Sequence, residues 1–101
     1  MSNFTIGQTV YHQKFTYRGV VIGVDEMFLG SNEWYEEVAR SRPPKDEPWY
    51  HVLVHASIHQ TYVAERHLAP DTSGQPIEHP ELANFFDRFI EGCYSDSRTF
   101  H

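Results

Sequence analysis

The amino-acid sequence predicts a mainly β protein, a small barrel of about five short strands with a helical insertion and a C-terminal amphipathic helix. Strand-like runs rich in β-branched and aromatic residues lie close together between residues 7 and 69. Glycines interrupt the longest run, and a periodic apolar stripe follows a Pro- and Gly-containing segment near the C-terminus. The length of 101 residues fits one domain, because half of it would bury too little core to be stable alone.

The first two strands are predicted at residues 7–12 and 17–25. Gly19 and Gly23 lie four residues apart in the second strand, so their missing side chains are expected on the same face. Glycines placed in this way are typical of strong bending, a bulge or the close approach of another backbone. A tightly coiled small barrel needs such corners.

Residues 26–48 are predicted to form a long insertion between strands. Residues 32–40 can form a short helix capped by Ser31 or Asn32. The three prolines between positions 43 and 48 prevent its continuation, because proline removes a donor and fixes φ. Long loops in compact domains often carry function.

Three more short elements complete the predicted barrel domain, which spans residues 1–70. A strand at 49–55 is apolar on both faces, as expected of a central or covered strand. A turn at 56–59 leads to an antiparallel strand at 60–64. A single-turn connection and a last short strand at 68–69 follow.

The remaining chain is predicted to be a linker at 71–79, a helix at 80–92 and a frayed tail at 93–101. The helix begins near Pro80, ends at Gly92 and carries an apolar stripe at Leu82, Phe85, Phe86, Phe89 and Ile90. Such a stripe usually packs on its own domain, and the alternative is a detachable helix that faces a partner.

Composition argues against a typical nucleic-acid binder and against a membrane protein. The net charge is −6, and residues 46–101 hold nine acidic and three basic side chains. Binding to phosphates favours the opposite sign. No run approaches the roughly 20 apolar residues that span a bilayer, and the N-terminus has no secretory signal pattern. With the single cysteine, Cys93, these features predict a cytoplasmic protein that makes no membrane contact.

The sequence predicts no enzyme, no cofactor and no metal site. His51 and His55 share a face of their strand but lie roughly 13 Å apart, too far for one tetrahedral ion. Cys93 is placed near a helix C-terminus, where the helix dipole disfavours a thiolate. No phosphate loop and no Ser-His-Asp order stands out from chance.

One basic and aromatic cluster is a candidate contact surface. Its basic members can contact phosphates, and its aromatic members can stack on bases or form protein interface hot spots. The alternative, of equal weight, is a solvated loop whose two tryptophans fold onto the barrel. The cluster contains Lys14, Arg18, Arg40, Arg42 and Lys45 with Trp34, Tyr35 and Trp49.

Three segments in order then resemble the hemimethylated-DNA-binding (YccV-like) family. They are Tyr17-Arg18-Gly19-Val20-Val21-x-Gly23-x-Asp25, Pro48-Trp49-Tyr50-His51-Val52-Leu53-Val54 and Thr61-Tyr62-Val63-Ala64-Glu65-x-x-Leu68. Trp34 and the opening Gly7-Gln8 also match, and the resemblance covers about residues 4–70.

The resemblance implies an SH3-like β-barrel and two functions that differ. One function is binding of hemimethylated DNA. The other belongs to a bacterial heat-shock protein of the family, an adaptor or specificity factor for ATP-dependent proteases. The module also occurs in some F-box proteins, which again points to protein degradation. The acidic charge favours the proteolysis-associated role, with a protease or its substrates as partners and hemimethylated DNA as the alternative.

Six side chains are predicted to reach a partner. They are Arg18, Trp34, Trp49, His51, Tyr62 and Glu65. The turn at 56–59 is shorter than in some family members, so no function is assigned to it. Because small barrels with exposed edges often self-associate, a homo-oligomer is also expected.

Overall fold

The structure, a computed structural model, describes residues 2–39 and 41–97. Its first half contains strands β1 (Thr9–His12) and β2 (Arg18–Asp25), helix α1 (Asn32–Val38), and strands β3 (Trp49–Val54) and β4 (Gln60–Ala64). Its second half contains a 3₁₀ turn (Glu65–His67), β5 (Leu68–Pro70), helix α2 (Leu82–Phe85), β6 (Arg88–Ile90) and β7 (Cys93–Ser95).

The first five strands form one antiparallel sheet in the order β4-β3-β2-β1-β5. The chain passes from the β4 edge to the β5 edge through the three-residue 3₁₀ turn. Such a turn rises only about 2 Å per residue, so the two edges lie close and the sheet is strongly curled. The sheet is open, since β4 and β5 are not paired in the described residues. The predicted mainly β class and its five strands are confirmed.

The concave face of the curled sheet holds the main core. Tyr50 and Val52, two residues apart on β3, both point into it, and β3 pairs with β2 on one side and β4 on the other. The other members of this core are Phe4, Val10, Val21, Val63 and Leu68.

The convex face is covered at two places by different segments. At the first place, Val20 and Leu53 of the sheet pack against three residues of the C-terminal segment, Ile77, Phe86 and Tyr94. Trp49 packs beneath the insertion against Tyr35 and Ala64, in a separate cluster. His51 lies between them in β3, and its side chain is 38% exposed.

A bulge in β2 corrects the prediction that Gly19 and Gly23 share a face. The register of β2 on β3 shifts between Val21 and Gly23, so Gly19 pairs with Val54 and Gly23 with His51. These partners are three residues apart and therefore lie on opposite faces. The predicted bulge and close approach are confirmed, since a Cβ at Gly19 would lie 2.6 Å from the carbonyl oxygen of Leu53.

The predicted insertion helix is confirmed as α1. Its N-cap is Ser31, whose hydroxyl accepts a hydrogen bond from the Trp34 N–H at 3.1 Å. The helix ends at Val38, before the prolines; Arg40, which the prediction placed at its end, lies outside the described residues.

The predicted C-terminal helix at 80–92 is wrong. Only Leu82–Phe85 is helical, and Arg88–Ile90 pairs with Cys93–Ser95 in an antiparallel hairpin. Glu91 and Gly92 form its two-residue loop with φ of 52° and 79°, the signs that a type I′ turn requires. The frayed tail is also wrong for Cys93–Ser95, and residues 98–101 lie outside the described residues.

Tertiary pairing explains why the apolar stripe is not helical. The Tyr94 N–H donates to the Gly7 carbonyl at 2.7 Å, and its hydroxyl accepts from the Ile77 N–H at 2.8 Å. Phe86 is buried against Tyr94, while Ile90 is exposed. The stripe therefore serves mainly as core, as the preferred interpretation expected, but from a turn and a hairpin.

Candidate functional site

An aromatic cluster joins the insertion to the end of the sheet. Phe28 and Trp34 from the insertion lie 4.9 and 6.1 Å, between ring centroids, from Trp49 on β3. Tyr62 on β4 lies 5.2 Å from Trp49 and 5.8 Å from Trp34. Edge-to-face and offset contacts at these distances stabilise the arrangement beyond burial alone.

The carboxylate of Asp25 organises the polar rim of this cluster. It accepts a hydrogen bond from the Tyr62 hydroxyl at 2.7 Å and lies 3.2 Å from His51 Nε2. The Leu29 N–H donates to the same hydroxyl at 3.1 Å, which ties the insertion to β4. Burial and the hydrogen bond to Asp25 raise the pKa of Tyr62 to about 12, so it stays a neutral donor.

Beside the cluster lies a cleft of about 590 Å³ between the insertion and the β1–β2 turn. Its size is that of a site for a small molecule or a short peptide segment. Phe15 on one wall and Val38 on the other are 67% and 56% exposed, so apolar surface borders the opening. Within residues 2–39 and 41–97, the lining contains Lys14 and three histidines but no carboxylate.

Two of those histidines, His12 and His67, stack at one end of the cleft with ring centroids 5.6 Å apart. The Nδ1 atom of His12 accepts the N–H groups of Lys14 and Phe15 at 3.2 and 3.0 Å. Burial, with the nearby His67 and Lys14, lowers the pKa of His12 to about 4. Burial also lowers the pKa of His67, with help from Lys14 and Arg66. Both rings are therefore neutral at pH 7.

This geometry predicts that the protein loses stability on mild acidification. The pKa of His12 is lower in the folded chain than in the unfolded one, so its stabilising effect is complete above pH 6.5 and is lost as the pH falls towards 4. We expect urea unfolding to show a loss of about 2 kcal/mol between pH 6.5 and pH 4.5.

The matched variant is His12→Asn, whose side-chain oxygen can still accept the two N–H groups but does not titrate. It should lose clearly less stability over the same pH interval. An equal loss in both proteins would contradict the assignment to His12.

The structure brings four of the six predicted contact residues together. Trp34, Trp49, His51 and Tyr62 all line the cleft. Trp49 is only 1% exposed and donates from Nε1 to the Pro44 carbonyl at 3.1 Å, so it forms the floor and offers little surface to a partner.

Arg18 and Glu65 lie elsewhere and hold other segments in place. Arg18 forms an ion pair with Asp71 at 2.8 Å and donates to the Gln75 carbonyl, which fastens residues 71–76 to the sheet. Glu65 accepts the Tyr50 hydroxyl at 2.5 Å and the Asn3 N–H at 2.8 Å, which fastens the N-terminal segment.

The structure also places the residues of the predicted basic and aromatic cluster at separate positions. Tyr35 is buried on the side of α1 that packs against Trp49, where its ring lies 4.3 Å from Lys45 Nζ. Arg42 pairs with Glu36 at 2.6 Å. Lys14 reaches the cleft. Arg40 lies outside the described residues.

Sequence reasoning missed many residues that line the cleft, among them His12, Phe15, Val38 and His67. The exposed phenylalanine in the β1–β2 turn was a usable signal, since a turn rarely needs a large apolar side chain. The two histidines are 55 residues apart in sequence, and only the pairing of β1 with β5 brings them together.

No described helix is long and apolar enough to cross a membrane. Nor do residues 2–39 and 41–97 contain a group of three or more His, Cys, Asp or Glu side chains placed to hold a metal ion.

Comparison with known protein families gives a match over most of the chain. A family model described as hemimethylated DNA-binding protein YccV like matches residues 2–92. The match covers the whole five-stranded sheet and the insertion, and it extends beyond residue 70 to the turn of the β6–β7 hairpin.

Proposed function

The chain belongs to the YccV-like family, and from this premise we propose that it is a non-catalytic module that binds proteins in regulated proteolysis. It acts as an adaptor or specificity factor for ATP-dependent proteases during heat stress, in the cytoplasm. On this proposal the curled five-stranded sheet is an SH3-like barrel that presents the cleft.

The composition of the cleft is the main support for this proposal. Its walls are apolar and aromatic, its rim holds few charges, and large exposed side chains border it. Tryptophan and tyrosine at such places dominate the energetics of protein interfaces. A cleft of this kind suits apolar segments of a protein, such as those that heat exposes.

The distribution of cations favours a protein partner over duplex DNA. Three of the six described Lys and Arg residues are paired with carboxylates: Arg18 with Asp71, Arg42 with Glu36, and Arg66 with Glu47. Phosphate contacts would have to compete with those carboxylates, in a chain of net charge −6.

A degradation assay tests the proposal. The purified chain is added in increasing amounts to a Lon-type and to a Clp-type protease with labelled casein as substrate. We expect the rate of casein degradation to change severalfold with at least one protease and to saturate. An unchanged rate with both proteases would contradict the proposal.

Two variants locate the effect. Trp34→Ala removes a cleft wall and should abolish most of the change in rate. Arg88→Ala, on the exposed β6 strand outside the cleft, should retain it. If both variants change the degradation rate equally, the effect on proteolysis does not depend on the cleft.

Binding of hemimethylated DNA is the second candidate, and the description of the matching family favours it. It predicts a higher affinity for a hemimethylated duplex than for the unmethylated one, with a steep decrease in added salt. Equal, negligible binding of both duplexes would remove this candidate.

A further inference from the structure

Strand β4 is an edge of the five-stranded sheet, and the cleft runs along that edge. All five residues of β4 line the cleft, from Gln60 to Ala64. Successive side chains of a strand point to opposite faces of the sheet. A cleft that contacts all of them therefore lies at the free edge of the strand and not over one face.

The hydrogen-bond register leaves main-chain groups of β4 directed into the cleft. The Val54 N–H donates to the His59 carbonyl and the Glu65 N–H to the Pro48 carbonyl, so hydrogen-bonded pairs fall at alternate residues between them. Gln60 and Tyr62 are two of the three intervening residues, and their N–H and C=O groups point away from β3. No described residue makes a hydrogen bond to the main chain of either.

The charge of the cleft selects among possible occupants. Among the described residues that line the cleft, Lys14 alone is formally charged, in a protein with 14 acidic and eight basic side chains. A second copy of β4 would bring no acidic side chain of its own to Lys14, because the strand reads Gln-Thr-Tyr-Val-Ala. A segment that carries a carboxylate and an apolar side chain complements both the lysine and the aromatic wall.

We propose that β4 binds an extended peptide segment of a protein partner by strand addition. The segment pairs with the main chain of Gln60 and Tyr62, places an apolar or aromatic side chain against Trp34, and places a carboxylate near Lys14. The main-chain bonds supply affinity, and the two side-chain contacts supply selectivity. The inference rests on the proposed function in one respect, that the partner is a protein.

Two substitutions at one position test the pairing. Gln60→Pro removes an N–H that points into the cleft and none that bonds to β3, and edge strands tolerate proline at such positions. Gln60→Thr keeps the N–H and has high β-propensity. The Gln60 side chain is exposed and makes no hydrogen bond to the described residues, so both variants should fold.

The probe is a display library of random octapeptides, selected on the full chain and on both variants. We expect the wild type and Gln60→Thr to enrich peptides with an apolar or aromatic residue next to an Asp or Glu. Gln60→Pro should bind the enriched peptides at least about tenfold more weakly, since it loses a strand bond and gains a steric block. Lys14→Glu should remove the preference for acidic residues.

Amide hydrogen exchange identifies where the peptide binds. A synthetic copy of the most enriched peptide should slow exchange at Gln60 and Tyr62. Equal affinity of Gln60→Pro and Gln60→Thr, protection confined to other residues, or no enrichment would overturn the inference. Self-association of the wild type that Gln60→Pro abolishes, without peptide binding, would assign the edge to a second copy and overturn it also.

The two proposals can fail separately. If the chain changes casein degradation and Gln60→Pro does so equally, strand addition is wrong and the proteolytic function stands. If peptides bind at β4 but the chain alters degradation by neither protease, the edge site stands and the proposed function is wrong.

Discussion

Replacing Trp49 by alanine is expected to lower the free energy of unfolding by about 3–5 kcal/mol. The side chain is 1% exposed and has aromatic neighbours in the insertion and on β4. The substitution leaves a large cavity and orphans the Pro44 carbonyl, which the indole N–H satisfies at 3.1 Å. Because tryptophan fluorescence changes with the substitution, urea unfolding should be followed by far-UV circular dichroism.

Trp34→Ala is the matched control, because Trp34 lies in the same aromatic cluster but is only partly buried. It should cost less than half as much stability as Trp49→Ala while weakening partner binding. If Trp49→Ala costs no more than Trp34→Ala, then Trp49 is not the floor on which the insertion packs.

Replacing Gly7 by alanine is expected to cost about 3 kcal/mol or more, the sum of backbone strain and a main-chain clash. Gly7 has φ of +94°, and a Cβ there would overlap the carbonyl oxygen of Tyr94. The main chain of Gly7 also makes two hydrogen bonds: its N–H donates to the Val21 carbonyl on β2, and its carbonyl accepts from the Tyr94 N–H on β7. Relief of the clash would separate the C-terminal hairpin from the sheet.

Gly92→Ala isolates the strain from the clash. Its φ of +79° is equally unfavourable for alanine, but nothing lies within 4 Å of an added Cβ. We expect a cost of about 1 kcal/mol for Gly92→Ala in the same urea titration. Equal costs for the two variants would show that the approach of Gly7 to Tyr94 is not a tight contact.

The strands of the sheet could be predicted because local pattern and tertiary structure agree there. The runs at Arg18–Asp25 and Trp49–Val54 are rich in β-branched and aromatic residues, and both are central strands. The sequence predicted a bulge near Gly23, but it did not predict that the bulge places Gly19 and Gly23 on opposite faces of the sheet. One extra residue inverts every later side chain, and its position depends on pairing with β3.

The C-terminal hairpin could not be predicted because its pattern fits two structures. Leu82, Phe85, Phe86 and Phe89 have helical spacing, while Arg88–Ile90 and Cys93–Ser95 also suit strands around Glu91-Gly92. The bonds from Tyr94 to Gly7 and Ile77, which favour the hairpin, join residues 87 and 17 positions apart. No local pattern contains such contacts.

The candidate site was predicted in part for a similar reason. Trp34, His51 and Tyr62 are conspicuous side chains, and the structure brings them together at the cleft. Arg18 and Glu65 are equally conspicuous in sequence, yet they hold the linker and the N-terminal segment. An arginine that fastens a loop and one that awaits a partner have the same local sequence signal, and only the position of Asp71 distinguishes them.

Amide chemical shifts of the full chain test most directly whether the cleft at β4 binds proteins. The shifts are mapped during titration with a permanently unfolded protein, carboxymethylated lactalbumin, and separately with a hemimethylated DNA duplex. We expect lactalbumin to shift the amides of Gln60–Ala64 and the indole of Trp34, and the duplex to leave them unchanged. Shifts with the duplex alone, or shifts with lactalbumin confined to the β6–β7 hairpin, would contradict the claim that the cleft at β4 is a protein-binding surface.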